Sequence, residues 1–253
     1  MRAAKGFLFL YYIIVFEQGQ TFDRILALLT KSHIRVIISM GFYAMRNAFD
    51  DLKDLIDYVQ TEYSEITNEW LRGADAKINL KKSQVSDVDV DGTIYKSILD
   101  YVQLLNERSA SITLQLSSVC ASRVTARVKA QNSIEYKIQS YKTDRHESGR
   151  VPINKCINDL LGIRIILDFP LTFEEIYSFI EATYPGKYRC INSSKLDYKA
   201  VHLYFKGSNH SFPWELQIWN QCDVESNFAS HQKYKQEYTT WEKESKEGGI
   251  ING

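Results

Sequence analysis

Four short segments of this 253-residue chain place charged and hydrogen-bonding side chains where a packed core would not hold them. In Arg127-Val-Lys129-Ala-Gln-Asn-Ser133-Ile-Glu-Tyr-Lys137, a β-rich stretch gives way to a helical one. Ser133 and Lys137 share a helical face through their four-residue spacing. Cations at a strand end, beside the free N–H groups of a helix start, make a cradle for polyphosphate. By itself the segment also reads as a basic solvated face. In Asp159-Leu-Leu-Gly-Ile-Arg164, an acid stands at the mouth of an apolar run that holds an Arg. An Arg flanked by Ile163 and Ile165 requires a partner, a ligand or an edge position, and a buried Asp–Arg pair is the plain alternative. Asp159 and Arg164 have opposite parity, so they reach one cleft only if Asp159 precedes the regular strand or a bulge intervenes.

The third segment is Lys195-Leu-Asp-Tyr198-Lys-Ala-Val-His202, where alternation puts Tyr198, Ala200 and His202 on one strand face. A Tyr and a His side by side suit stacking and hydrogen bonding to a base or sugar, though such a pair is often ordinary surface. The fourth is Trp214-Glu215-Leu-Gln217-Ile-Trp219, where Glu215 and Gln217 alternate with core-directed Leu216 and Ile218. Glu215 near Asp159 would complete a two-carboxylate Mg²⁺ site, since Mg²⁺ takes one or two carboxylates plus phosphate oxygens.

These segments must be positioned by the elements around them. Phe49, Leu52, Leu55, Ile56 and Val59 predict a helix over residues 46–65, whose acidic outer face reads as solvated, with neutralisation of the basic domain in cis as the alternative. A second helix is expected over 93–119, with a polar loop between the two over 73–91. The acidic VSDVDVDG in that loop lacks the glutamate a calcium loop needs, so it is taken as solvated. From about residue 120 the pattern turns mixed. Strands are expected over 124–128, 160–169, 198–205 and 214–219, and helices over 133–141 (capped by Asn132 or Ser133) and 172–182. A last amphipathic helix carries Val224, Phe228, His231, Tyr238 and Trp241.

Composition narrows the class. Equal numbers of basic and acidic residues, 31 of each, exclude a globally basic nucleic-acid binder, so any such binding must come from local patches. Cys120, Cys156, Cys190 and Cys222 lie far apart with no CxxC pair, which argues for reduced core thiols and against a disulfide framework. The apolar stretch of residues 6–16 is too short to span a bilayer and lacks a small-residue cleavage site. It is therefore read as a buried element, or as sequence ahead of a working start at Met40 or Met45.

In this order, RVKAQNSIEYK, DLLGIR, YKAVHL, ELQIW and the tail ESNFASHQKYK resemble the synthetase domain of the RelA/SpoT family, the ATP-dependent pyrophosphokinases that make (p)ppGpp. The likeness covers about residues 120–240. It implies an α+β fold, a nucleotidyltransferase-like mixed β-sheet flanked by helices and preceded by a helical N-terminal region. The division expected is 1–119 helical, with 1–45 unassigned, then 120–247 as the synthetase domain and 248–253 as a tail. The implied reaction moves the β,γ-pyrophosphate of ATP to the 3′-hydroxyl of GDP or GTP and releases AMP. By position in the motifs, Asp159 and Glu215 are similar to the catalytic, Mg²⁺-holding carboxylates. Arg127, Lys129, Ser133, Lys137 and Arg164 resemble ATP-binding residues, and Lys195, Tyr198, His202 and Gln217 acceptor-binding ones.

No His-Asp dipeptide occurs, so the likeness is to a small synthetase-only member without the hydrolase half. Two departures fall on the acceptor side. Asp197 stands where the family has Gly before the Tyr, in a segment one residue shorter, and Trp219-Asn220 replaces Arg-Thr. They leave a second acceptor open: a toxin-like member pyrophosphorylating the tRNA 3′ end, with Lys187, Arg189, Lys195, Lys199 and Lys206 as its basic track. A non-catalytic nucleotide-binding module is disfavoured by the presence of both Asp159 and Glu215. The resemblance further implies a cytoplasmic enzyme without stable membrane insertion, with an antitoxin protein or a second copy of the chain as partners to test for.

Overall fold

The computed structural model describes residues 31–73, 78–230 and 232. The apolar stretch at 6–16 and the positions His231, Tyr238 and Trp241 lie outside them. The chain divides into two units, Met1–Asp50 and Asp51–Gly253. Of the first, the described part is helical from Lys31 onward, with Arg46 and Asp50 paired one turn apart on its exposed side.

Helix α1 (Lys31–Gly73) is longer than its hydrophobic period suggested. Leu52, Leu55, Ile56, Val59, Tyr63 and Ile66 recur at three- and four-residue steps, and all are buried. The opposite face is acidic but not merely solvated, which corrects the sequence expectation. Asp51 Oδ1 accepts from the Ala121 amide at 3.1 Å, and its Oδ2 from the Ser122 amide at 2.9 Å. Asp57 accepts from the Tyr184 hydroxyl at 2.7 Å and from Lys53 at 2.6 Å. Both acids therefore tie α1 to the sheet-bearing part of its own unit. Helix α2 (Thr93–Val119) buries Tyr95, Ile98, Tyr101, Val102, Leu105, Ile112 and Leu116, and its bounds agree with the sequence reading.

The intervening segment also departs from a solvated loop. Leu80, Val85 and Val88 are buried, and the Val85 amide bonds the Val151 carbonyl at 2.9 Å. Short apolar anchors among acids escaped the pattern because no helical or strand period connects them. Among the described residues, no helix is long and apolar enough to cross a membrane. All four cysteines are free thiols.

The mixed sheet holds β1 (Arg123–Val128), β2 (Leu161–Leu167), β3 (Arg189–Asn192), β4 (Val201–Phe205) and β5 (Trp214–Asn220). Their spatial order is β1-β2-β5-β4-β3. Only β2 and β5 pair in parallel, and the other three pairings are antiparallel. Helices α3 (Gln131–Tyr141), α4 (Ile153–Cys156) and α5 (Phe173–Thr183) connect the strands, and residues 224–230 form a further helix after β5. Thr172 caps α5 through a reciprocal bond pair with Glu175. Helix α3 has no such cap: its N-cap is Ala130, so neither Asn132 nor Ser133 fills that role. The fold is thus α+β, as expected. One sheet face is apolar, with Leu161, Ile163, Ile165, Leu203, Phe205, Leu216 and Ile218 buried on it.

Candidate active site

Strand register sets the other face, because paired residues and their i±2 neighbours point the same way. One row across the five strands reads Arg127, Gly162, Glu215, Tyr204, Arg189. The next row reads Thr125, Arg164, Gln217, His202, Ile191. Six of the side chains singled out from sequence fall on or beside these rows, and Glu215 sits on the middle strand. At about 4.8 Å per strand, Arg127 and Arg189 each start about 10 Å from the Glu215 backbone, on opposite sides. Gly162 leaves the space between Arg127 and Glu215 open, since a Cβ there would meet only the Arg127 carbonyl oxygen at 3.9 Å.

Asp159 precedes β2, which resolves the parity problem with Arg164: the acid reaches the site from the loop and the Arg from the strand. Its two oxygens are held separately. Lys129 donates to Oδ2 at 2.8 Å, and Lys137 to Oδ1 at 2.9 Å. Lys137 also donates to Asn158 at 3.0 Å. Burial alone would raise the Asp159 pKa, but the Lys137 and Lys129 charges outweigh it and hold the carboxyl down at about 2. Burial pulls Lys137 the other way, and the Asp159 charge keeps its ammonium raised above the ordinary value. Ser133 lies one helical turn before Lys137, partly buried in the first turn of α3.

Glu215 is buried among donors. His202 Nδ1 stands 2.9 Å from Oε1, the Tyr204 hydroxyl donates to the same oxygen at 2.9 Å, and Gln217 Nε2 donates to Oε2 at 2.8 Å. Burial pushes its carboxyl up, yet the His202 bond and charge win and hold it below the usual value. The Tyr198 hydroxyl lies 3.0 Å from His202 Nε2. The two ring nitrogens of His202 thus bridge Glu215 and Tyr198, and a chain Tyr198–His202–Glu215–Tyr204 follows. Arg164 donates twice to Gln217 Oε1, at 3.1 and 2.9 Å, and its guanidinium lies 3.6 Å from the Trp219 ring centroid. The plain alternative, an Asp159–Arg164 ion pair, is not what forms.

Tyr198 requires a correction. It is not in β4 but closes a two-residue turn with Lys195, and its ring packs edge-on to Trp219 and His202. It is partly buried against Ile166, Ala200, Trp219 and Val224 rather than standing on an open strand face. Lys195 is exposed at the other end of this turn.

Tyr204, Trp219, Asn158 and Asn227 were missed as site residues. Tyr204 and Trp219 had a usable signal, since each lies two positions from a residue already chosen on the same strand. Asn227 had none: it is fully buried and clamps Lys199, accepting from its amide at 2.7 Å and donating to its carbonyl at 2.8 Å.

The oxygen-only pair Asp159 and Glu215 fits Mg²⁺ by donor type and charge, and the two acids sense each other, Asp159 opposing ionisation of Glu215. Among the described residues no cluster of three or more His, Cys, Asp or Glu could hold a metal, so the other positions would fall to substrate oxygens and water.

Residues 126–239, a little under half of the chain, match the family model described as the region found in RelA/SpoT proteins. No curated protein matches. Among solved structures, small alarmone synthetase 1 from Bacillus subtilis bound to its product pppGpp is 17% identical, over 57% of this chain and 83% of that one, with a TM-score of 0.37. Small alarmone synthetase 2 from the same organism is 19% identical, over 56% and 80%, with a TM-score of 0.33.

Proposed function

We propose that this chain, which carries the RelA/SpoT region over residues 126–239, is an ATP-dependent pyrophosphokinase that makes (p)ppGpp from GDP or GTP. The observation that carries the reading is the pair of carboxylates with lowered pKa, Asp159 in the loop before β2 and Glu215 on the sheet face, with Lys129, Lys137, Arg127 and Arg164 on the donor side. In the reaction the acceptor 3′-hydroxyl attacks the β-phosphorus of ATP and releases its proton to water, the bond from that phosphorus to the α–β bridging oxygen breaks, and AMP leaves with its electron pair. Transfer of this kind rests on positioning and charge neutralisation.

Lys129 and Lys137 would take the donor phosphates, with Ser133 a turn away and Arg127 and Arg164 on the adjoining strands. Asp159 and Glu215 would hold Mg²⁺, which neutralises charge on the group in flight. Glu215 has its pKa lowered, so it is a weak base. Its Oε2 carries the Gln217 bond and has a second lone pair with which to orient the attacking hydroxyl. Tyr198 would present its ring to the acceptor base, with Lys195, His202 and Gln217 beside it. Incubation with γ-³²P-labelled ATP and GDP, GTP, ATP or bulk tRNA tests the reading. Label in a guanosine tetra- or pentaphosphate supports it, and no labelled product with any acceptor removes it.

A second reading, pyrophosphorylation of the tRNA 3′ end, is favoured by one feature. Lys206, Arg189 and Lys155 are all exposed, and the Lys206 pKa is lowered first by partial burial and then by the Arg189 and Lys155 charges. Among the described residues none of the three has a carboxylate at ion-pair distance, and a run of phosphates would supply the missing charge.

A further inference from the structure

The turn that carries Tyr198 has an unusual tip. Lys195 and Tyr198 exchange two backbone hydrogen bonds, at 2.8 and 3.0 Å, so Leu196 and Asp197 form a two-residue connection. Leu196 is its first central residue, has a φ of 52°, and is fully exposed. Positive φ at a bulky residue is a true outlier, and Gly or Asn would hold this position without strain. Among the described residues the side chain has no packing partner, so none of them offsets the strain.

The rest of the turn is firmly fixed. The Ser193 amide bonds the Ala200 carbonyl at 2.9 Å, the Ser194 amide bonds Asn192 Oδ1 at 3.0 Å, and buried Asn227 clamps both backbone groups of Lys199. A strained, apolar, fully exposed residue on a rigid turn beside Tyr198 is the arrangement in which backbone strain points to a ligand contact.

We propose that Leu196 is a specificity-determining residue, packing its isobutyl group against the nucleoside that presents the 3′-hydroxyl at Tyr198. This rests on the pyrophosphokinase reading, and the nucleoside can belong to GDP or GTP or to the tRNA 3′ end.

The test measures thermal unfolding and equilibrium binding of GDP, tRNA and ATP, each alone, for the full chain and for L196G, L196N and L196M. L196G and L196N should unfold at higher temperature because strain is relieved. They should bind whichever acceptor the parent binds about five- to tenfold more weakly, the size expected for part-burying one aliphatic side chain. ATP binding should be unchanged, and L196M should keep acceptor affinity. Higher stability with unchanged acceptor affinity overturns the proposal, as does the absence of any stability gain. A parent protein that binds neither GDP nor tRNA overturns the acceptor reading itself.

Discussion

Replacing Asp159 with Asn removes one charge and almost no volume, so it isolates the electrostatics of the cradle. Two ammoniums lose their counter-ion, Lys129 at 2.8 Å and Lys137 at 2.9 Å. Side-chain exposures of 14% for Lys129, 23% for Lys137 and 21% for Asp159 mean that solvent screens the triad only in part. Removing one partner of a buried pair costs about 3–5 kcal/mol. Incomplete burial, and an amide oxygen that still accepts, bring the expectation lower. The pKa gives a second route to the number. Depression from 3.8 to about 2 corresponds to roughly 2–3 kcal/mol at neutral pH. Because the folded pKa is the lower one, this stability is present above the unfolded value and is lost as pH falls through about 2. Urea unfolding of parent and D159N should therefore differ by about 2–3 kcal/mol at pH 7, by about half that at pH 3, and by little near pH 2. A gap that stays constant from pH 7 to pH 3 would mean that shape, not charge, was lost, and would refute the argument.

Lys129→Ala and Lys137→Ala should each weaken ATP binding about ten- to a hundredfold with every acceptor, as charge-assisted contacts to phosphate predict. A loss confined to one acceptor in steady-state kinetics would rule out their action on the donor. The double reversal R189E/K206E should cripple transfer to tRNA and flatten its salt dependence by about one unit per lost phosphate contact, while transfer to GDP largely persists. Equal loss with both acceptors would show that the cluster serves the shared part of the site. Lys199 is a poorer probe, since its ammonium already lies 3.3 Å from Asp223.

Four of the five strands were legible because they obey a single rule, while β3 (Arg189–Asn192), a four-residue edge strand, was not expected because it is too short to show a period. Ile163, Ile165, Leu216 and Ile218 alternate with Arg164 and Gln217, and a period of two assigns faces without knowledge of the partner strand. The same rule placed Glu215 and Gln217 together. It misplaced Tyr198, because alternation cannot show where a ladder ends, and here the Lys195–Tyr198 turn intervenes before β4. The acids of α1 were misread for a different reason. Asp51 and Ser122 are 71 positions apart, and a sequence window reports a polar face without revealing a distant amide that needs it. Arg164 was expected to need a partner, a ligand or an edge position. Its guanidinium finds Gln217 and the Trp219 ring, a pairing visible only once β2 and β5 are known to be parallel neighbours.

On the donor flank of the free protein one carboxylate, Asp159, is shared by two ammoniums, Lys129 and Lys137. Under the proposed reaction this set opens by exchange. The two ammoniums turn to phosphate oxygens, Asp159 turns to the cation, and no buried charge is left without a partner at either stage. Asp159 then has opposite effects on the two halves of the substrate: it competes with ATP for the lysines and recruits the cation that accompanies ATP. In D159N the competition is gone. With EDTA present, that variant should bind ATP more tightly than the parent by about tenfold, or 1.4 kcal/mol, the size of one lost competing contact. With excess Mg²⁺ the order should reverse, and transfer should fall by at least about a hundredfold. Titration of ATP under both conditions reads both signs in one experiment. Weaker ATP binding by D159N in EDTA would show that Asp159 holds the cradle in shape rather than competing for its cations, and the exchange would have to be abandoned.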